Sequence, residues 1–302
     1  MTVVDSSRPS LGHRVMDVLR PAATAVRPAA LRLAIGAYSA RHQFRRRLML
    51  RRIHAQSAER FAPVGPCRIL RQPLAPAVAD RIYDVGQVVN LLATLGVAHR
   101  VTGPLNAALH VWTMSYRNSW GMILHNDNML VLHQTVLGTT RSADALSVDA
   151  LLQGRGLSPQ GFDRRYGAVP VAMNAAASAI YVISGVAKIR SELGVKWAGG
   201  DVLRGQIAID GLRKDLFGSQ KPATGVALYP RKDLFTLMAT GALAVELGAP
   251  LSLLHPRVGQ AFALAAWGMH WGIRVVMDIR FPYNTSGFSY VGYVPIGRAL
   301  RA

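Results

Sequence analysis

Residues 167–187, GAVPVAMNAAASAIYVISGVA, run for twenty-one positions without a charged side chain. A helix of ~20 apolar residues matches the hydrocarbon core of a bilayer, so this stretch predicts a membrane-length helix. It is not uniformly apolar. Asn174, Ser178, Tyr181 and Lys188 recur at i, i+4, i+7 and i+14, with Gly185 on the same line. On a helix they form one polar stripe. Such a stripe must face protein or water rather than lipid tails.

The remaining composition agrees with a membrane bundle of modestly polar helices. Half of the 302 residues are hydrophobic and 17% are charged. Lysine and arginine outnumber aspartate and glutamate by 35 to 16, a formal net charge of +19. That excess fits either nucleic acid or an anionic lipid surface, and its location decides between them. Residues 41–71 carry nine arginines against the single acid Glu59, set around Phe44, Leu48, Met49 and Ile53. Aromatic residues for base stacking are scarce there. The segment from Arg41 to Arg71 therefore reads as a basic interfacial helix with arginines snorkelling to anionic headgroups, and no nucleic-acid partner is expected. Leu31–Ala40, just before it, is too short to span.

One cysteine, Cys67, excludes an internal disulfide framework and reads as a spectator thiol. The first twenty residues lack the apolar core of a secretory signal, so insertion is expected to use internal helices.

Six spans are expected, at about 83–99, 103–118, 120–138, 167–188, 234–254 and 258–279. The expected fold is all-α: a polytopic transmembrane bundle of about six spans with a basic interfacial N-terminal helix. Residues 1–80 would form the basic cytoplasmic or interfacial segment, 81–296 the bundle and 297–302 a short tail. Arg100–Pro104 is expected to be the hinge between the first two spans. An amphipathic piece is expected over 200–217, and 283–295 reads as an interfacial or re-entrant tail. The distribution of arginine and lysine predicts the inner (cytoplasmic) membrane, with both termini, 41–71 and 189–232 inside and 139–166 outside.

No phosphate-cradling loop, HExxH or CxxC is present. Chemistry is therefore sought in ionisable residues at membrane depth, each costing about 2.5–3.5 kcal/mol at a helix centre. Arg274 and Asp278 read as an i,i+4 interfacial pair. His125 and Asp127 belong to a polar knot, His125–Asn128, inside an apolar segment, and either fix the bundle or shape a pocket. Glu246 and His270 are candidates for a shared proton. Lys188 is either a general base with a lowered pKa or a topology-setting lysine. His125, Asp127 and His270 have the donor types of a metal site, but their spacing matches no ligand pattern, and no metal is expected.

Tyr181-x-x-x-Gly185-x-x-Lys188 followed by Trp197-x-x-Gly200, together with SWGMILHNDNML, SADALSVD, AVELGAPLSLL and WGMHWGIRVVMDI in that order, resembles the HTTM family. These are membrane proteins related to the vitamin K-dependent gamma-carboxylase, and the resemblance runs from about Asp84 to Pro295. It implies a helical bundle in which Lys188 lies where the carboxylase has its catalytic-base lysine. The chain has no histidine just before Ser147-Val148-Asp149 and lacks the carboxylase's long lumenal region. The expectation is accordingly a quinone-like or other lipid-soluble substrate rather than glutamate carboxylation. Lys188 would act as base with Glu246 and His270 relaying protons, and His125, Asp127, Asn174 and Tyr181 would line the binding pocket. The alternative is a non-enzymatic accessory or assembly factor for a secreted or membrane protein partner.

Overall fold

The computed structural model describes residues 11–121, 125–218 and 222–295, without the side chains of Leu11, His13, Arg14 and His125. The expected tail at 297–302 lies outside the described residues. Those residues are all-helical, apart from one isolated antiparallel bridge between Ala23 and Asp163. The α-helices are α1 (Leu11–Leu19), α2 (Val26–His54), α3 (Pro76–Leu95), α4 (His99–Asn118), α5 (Asn128–Thr139) and α6 (Val148–Leu152). They continue with α7 (Arg164–Ile189), α8 (Asp201–Leu216), α9 (Ala223–Leu228), α10 (Lys232–Gly248), α11 (Pro256–Met277) and α12 (Pro282–Thr285).

The ends of these helices follow local chemistry. Pro76 and Pro256 open α3 and α11, where a missing amide donor costs nothing. The Asp163 side chain caps α7 and the His255 side chain caps α11. Gly96 (φ 68°) and Ala98 (φ 45°) turn the chain between α3 and α4. The hinge thus precedes the expected Arg100–Pro104, and Pro104 lies within α4.

Residues 31–54 belong to a single helix. The 29 residues of α2 extend for about 43 Å, joining the short apolar run to the arginine-rich one. Leu31 and Ile35 enter the core. Buried Arg32 forms no salt bridge with a carboxylate among the described residues, although Asp149 is near enough to act on it electrostatically. Its guanidinium donates to the carbonyls of Thr94 (3.0 Å), Ser142 and Leu146 (both 2.6 Å). Farther along α2 the arginines divide by helix phase. Arg46 bonds Asp127, Arg47 binds Asp84 in a two-pronged contact, and Arg51 faces Asp80 and Asp84. Among the described residues Arg41, Arg45 and Arg52 reach no acid, and they share the open side with exposed Phe44, Leu48 and Met49.

The expected span 120–138 is interrupted. Gly121 has φ 98°, a 3-10 turn occupies His125–Asp127, and α5 has only twelve residues, about 18 Å. Residues 122–124 lie outside the described residues. Among the described residues, two helical stretches are long and apolar enough to cross a membrane: Arg164–Ile189, and Lys232–Leu253, which is α10 with the 3-10 turn that follows it. α3 and α4 have twenty residues each but carry more polar side chains.

Polar ties show how the helices align. At one end, Ala23 bridges Asp163, Arg32 gathers the 142–146 loop, and Asp149 accepts from the amides of Ala98 and His99. At the other, α2 pairs with the start of α3, Arg117 at the end of α4 meets Asp127, and α8 follows α7. Helices α2, α3, α4, α5, α7, α10 and α11 therefore run alternately between two ends. The arginine-rich half of α2 and the 190–231 connection share one end. The other holds 140–163, with two arginines and three aspartates, and the described start of the chain. Gly103 and Gly138 bring α4 and α5 into backbone contact, since a Cβ on either would strike the other's carbonyl oxygen. The expected tail 283–295 instead folds back into the bundle, burying Tyr283, Tyr290 and Tyr293.

Candidate functional site

The Tyr-Gly-Lys pattern of α7 acquires a geometric meaning in the fold. Gly185 faces α10, where an added Cβ would lie 3.0 Å from the Glu246 Cβ and 2.9 Å from a Leu247 methyl. Its missing side chain allows the two helices to approach closely. One turn later, Lys188 Nζ donates to both carboxylate oxygens of buried Glu246. The Trp197 ring centroid lies 5.5 Å from the same Nζ, a cation–π contact. Gly200 (φ 84°) then packs against the α10 backbone at Phe235 and Thr236. The four motif residues thus dock α10 and the 194–199 turn around one lysine.

This ion pair borders a cavity of about 840 Å³ between α7, α8, α10 and α11. The lining is mainly apolar, with polar groups at a few points. Tyr181, Lys188, Glu246 and His270, chosen from sequence, all line it. Tyr181 Oη lies 2.6 Å from Tyr290 Oη, and both hydroxyls lie 3.3 Å from His270 Nδ1. His270 Nδ1 is also 2.9 Å from the Ala266 carbonyl, which can only accept. The proton therefore resides on Nδ1, and Nε2 is the basic nitrogen. Asn284 Nδ2 donates to Tyr290 Oη at 3.3 Å. On the facing walls, Gly241, Gly268 and Gly272 border open space, with nothing within 4 Å of a Cβ placed there.

Other sequence choices fall elsewhere. Asp127 turns to the α2–α4 side, held by His42 (3.1 Å), Arg46 and Arg117 (2.6 Å). It neutralises cations that converge there, so its role is to hold the bundle together. The backbone of His125 begins the same turn, but its side chain is outside the described residues. Asn174 packs against Gly292, and its carbonyl accepts from Tyr293 Oη at 3.5 Å, away from the cavity lining. Arg274 and Asp278 do not pair. Arg274 lies over Trp271, and Asp278, which ends α11 at φ 50°, faces Arg280 at 3.6 Å. Among the described residues no three His, Cys, Asp or Glu side chains converge on a metal position.

Asn126, Asn284, Trp197 and Tyr290 complete the site. Asn126 was visible in the polar knot beside Asp127, but only the turn geometry shows which of the two faces the cavity. Its Oδ1 is enclosed without a hydrogen-bond partner among the described residues.

No protein-family model, curated protein or solved structure matches the chain.

Proposed function

We propose that this chain is an integral membrane protein of the HTTM kind whose cavity binds a lipid-soluble, hydroxyl-bearing molecule of quinol character, with Lys188 as the general base. The observation that carries the reading is the Lys188–Glu246 pair set into the wall of a large apolar cavity. The open glycine walls fit such a ligand, which would supply an acidic hydroxyl when bound.

An ammonium cannot accept a proton, so the base must first be generated. Passage of the Lys188 proton to Glu246 gives an amine and a carboxylic acid. The amine then takes the proton of the hydroxyl, and the resulting ammonium stands beside the new anion. His270, through Nε2, with Tyr181 and Tyr290 behind it, forms the second polar point for proton relay.

Several features support a membrane setting. Two stretches are of crossing length. Val85, Val88, Leu91 and Leu95 form an exposed apolar stripe on α3, and Ile183, Leu237 and Leu264 are exposed on α7, α10 and α11. On this reading α7 and α10 would cross the bilayer, and the other expected spans would fall on α3, α4, α5 and α11, with α2 beside them. The arginine-rich end would lie at the cytoplasmic face of the inner membrane, with Arg41, Arg45 and Arg52 toward anionic headgroups. The described N-terminal helix then lies on the opposite side, because it packs beside Asp163 and Arg164.

The test is purification in mild detergent, followed by solvent extraction and mass spectrometry. A quinol-like molecule in near-stoichiometric amount is expected, with loss from a folded Lys188→Met variant. Recovery of phospholipid alone would favour the accessory-factor role instead. Release of the chain from membranes by carbonate would overturn the membrane reading.

A further inference from the structure

The connection between α7 and α10 carries a feature that neither the core nor the cavity uses. Helix α8 is two-faced. Leu203 and Ile207 look inward onto the cavity, and Lys214 bonds the Met277 carbonyl at the end of α11. On the outer side Ile209, Leu212 and Leu216 follow one another at helical spacing and are 63%, 60% and 73% exposed. Phe217, which ends the helix, is 81% exposed. Four large apolar side chains in one line on an otherwise charged helix are costly in water.

Position decides what covers them. α8 leaves the C-terminal end of one membrane-length stretch, and the chain it belongs to returns as the N-terminal end of the other. A link of that kind remains at one face of the bilayer. Residues 190–232 contain eight lysines and arginines against four aspartates and glutamates, so the link suits an anionic surface. An exposed apolar line on a helix held at one end of two membrane-length stretches is the pattern of a helix partly sunk into headgroups.

We propose that α8 is an interfacial helix that inserts Ile209, Leu212, Leu216 and Phe217 into the anionic leaflet at the arginine-rich end. Its inner face roofs the cavity, so a lipid-soluble molecule passes from the leaflet beneath α8 to Lys188 without crossing water. The inference rests on the membrane reading above, and the following experiment separates the two.

Nitroxide labels are placed singly at Leu212→Cys, Asp215→Cys and, on α7, Ile183→Cys, in a Cys67→Ala background. The protein is reconstituted into phosphatidylcholine vesicles with and without phosphatidylglycerol. Collision with oxygen, which concentrates in lipid, is compared with collision with a water-soluble nickel chelate. The oxygen-to-nickel ratio at Leu212→Cys should be several-fold that at Asp215→Cys and should rise when phosphatidylglycerol is present. A lipid-like ratio at Ile183→Cys with a water-like ratio at Leu212→Cys overturns the α8 proposal alone. Water-like ratios at both positions overturn the membrane reading and this proposal together. A ratio at Leu212→Cys that ignores phosphatidylglycerol overturns the preference for an anionic leaflet.

Discussion

Lys188 on α7 donates to both carboxylate oxygens of Glu246 on α10, and Gly185, one turn earlier, sets how closely those helices approach. The carboxylate is buried while the lysine remains partly exposed. Removing either partner leaves a charge without its counter-ion, so Lys188→Met and Glu246→Gln should each lose about 1–3 kcal/mol of stability. The double variant should lose less than the sum. Thermal melts in detergent, analysed as a double-mutant cycle, measure that coupling. Additive losses would show that the pair does not hold α7 to α10.

The glycines should respond in two opposite ways. Gly241 and Gly268 face open space in the cavity, so Gly268→Leu should retain stability or gain up to about 1 kcal/mol from helix propensity. The same change fills ligand volume and should abolish ligand co-purification. Gly138→Ala instead drives a methyl into the Gly103 carbonyl and should cost about 1–3 kcal/mol. Melting temperatures for the two variants test the contrast directly.

Arg32 holds three carbonyls from α3 and the 142–146 loop. Arg32→Met leaves those acceptors buried without donors and should cost about 3 kcal/mol or more. Arg32→Lys should rescue little, because an ammonium cannot match the planar fork of a guanidinium. Protease cleavage within residues 140–155 should accelerate in both variants.

Two groups at the bundle ends predict opposite pH responses. The Arg165 side chain and amide hold the Asp163 carboxyl at about 2, below the usual 3.8. The folded state thus favours the ionised form. Its contribution is complete above pH 3.8 and disappears as pH falls toward 2. The stability difference between the native chain and Asp163→Ala should shrink over that interval in acid titrations.

Burial pushes the Cys67 thiol up from 9.0 to about 11. The folded state therefore favours the protonated thiol, and the associated stability declines as pH rises from 9 to 11. At neutral pH a maleimide should label Cys67 only after denaturation. Rapid labelling of the folded protein would contradict the burial.

Much of the cavity was legible in sequence because its residues lie on one helical stripe. Tyr181, Gly185 and Lys188 share a face through the 3.6-residue period, and that period needs no tertiary information. Glu246 and His270 drew notice as ionisable groups in apolar helices. Asn126 and Asp127 were harder to tell apart. Adjacent residues in a turn point in unrelated directions, and the side chain that faces the cavity depends on how α5 begins.

The sequence by itself determined the helical class, two of the six expected crossing-length runs and the basic character of 41–71, since these depend on local composition and period. Only the tertiary structure decided that α2 is one long helix built into the bundle and that 283–295 returns through the core. It also decided that Asp127 ties arginines together while Asn126 lines the cavity. Burial and pairing are made by residues far apart in the chain, such as Arg46 with Asp127 and Lys188 with Glu246. No local pattern encodes which distant partner will neutralise a charge.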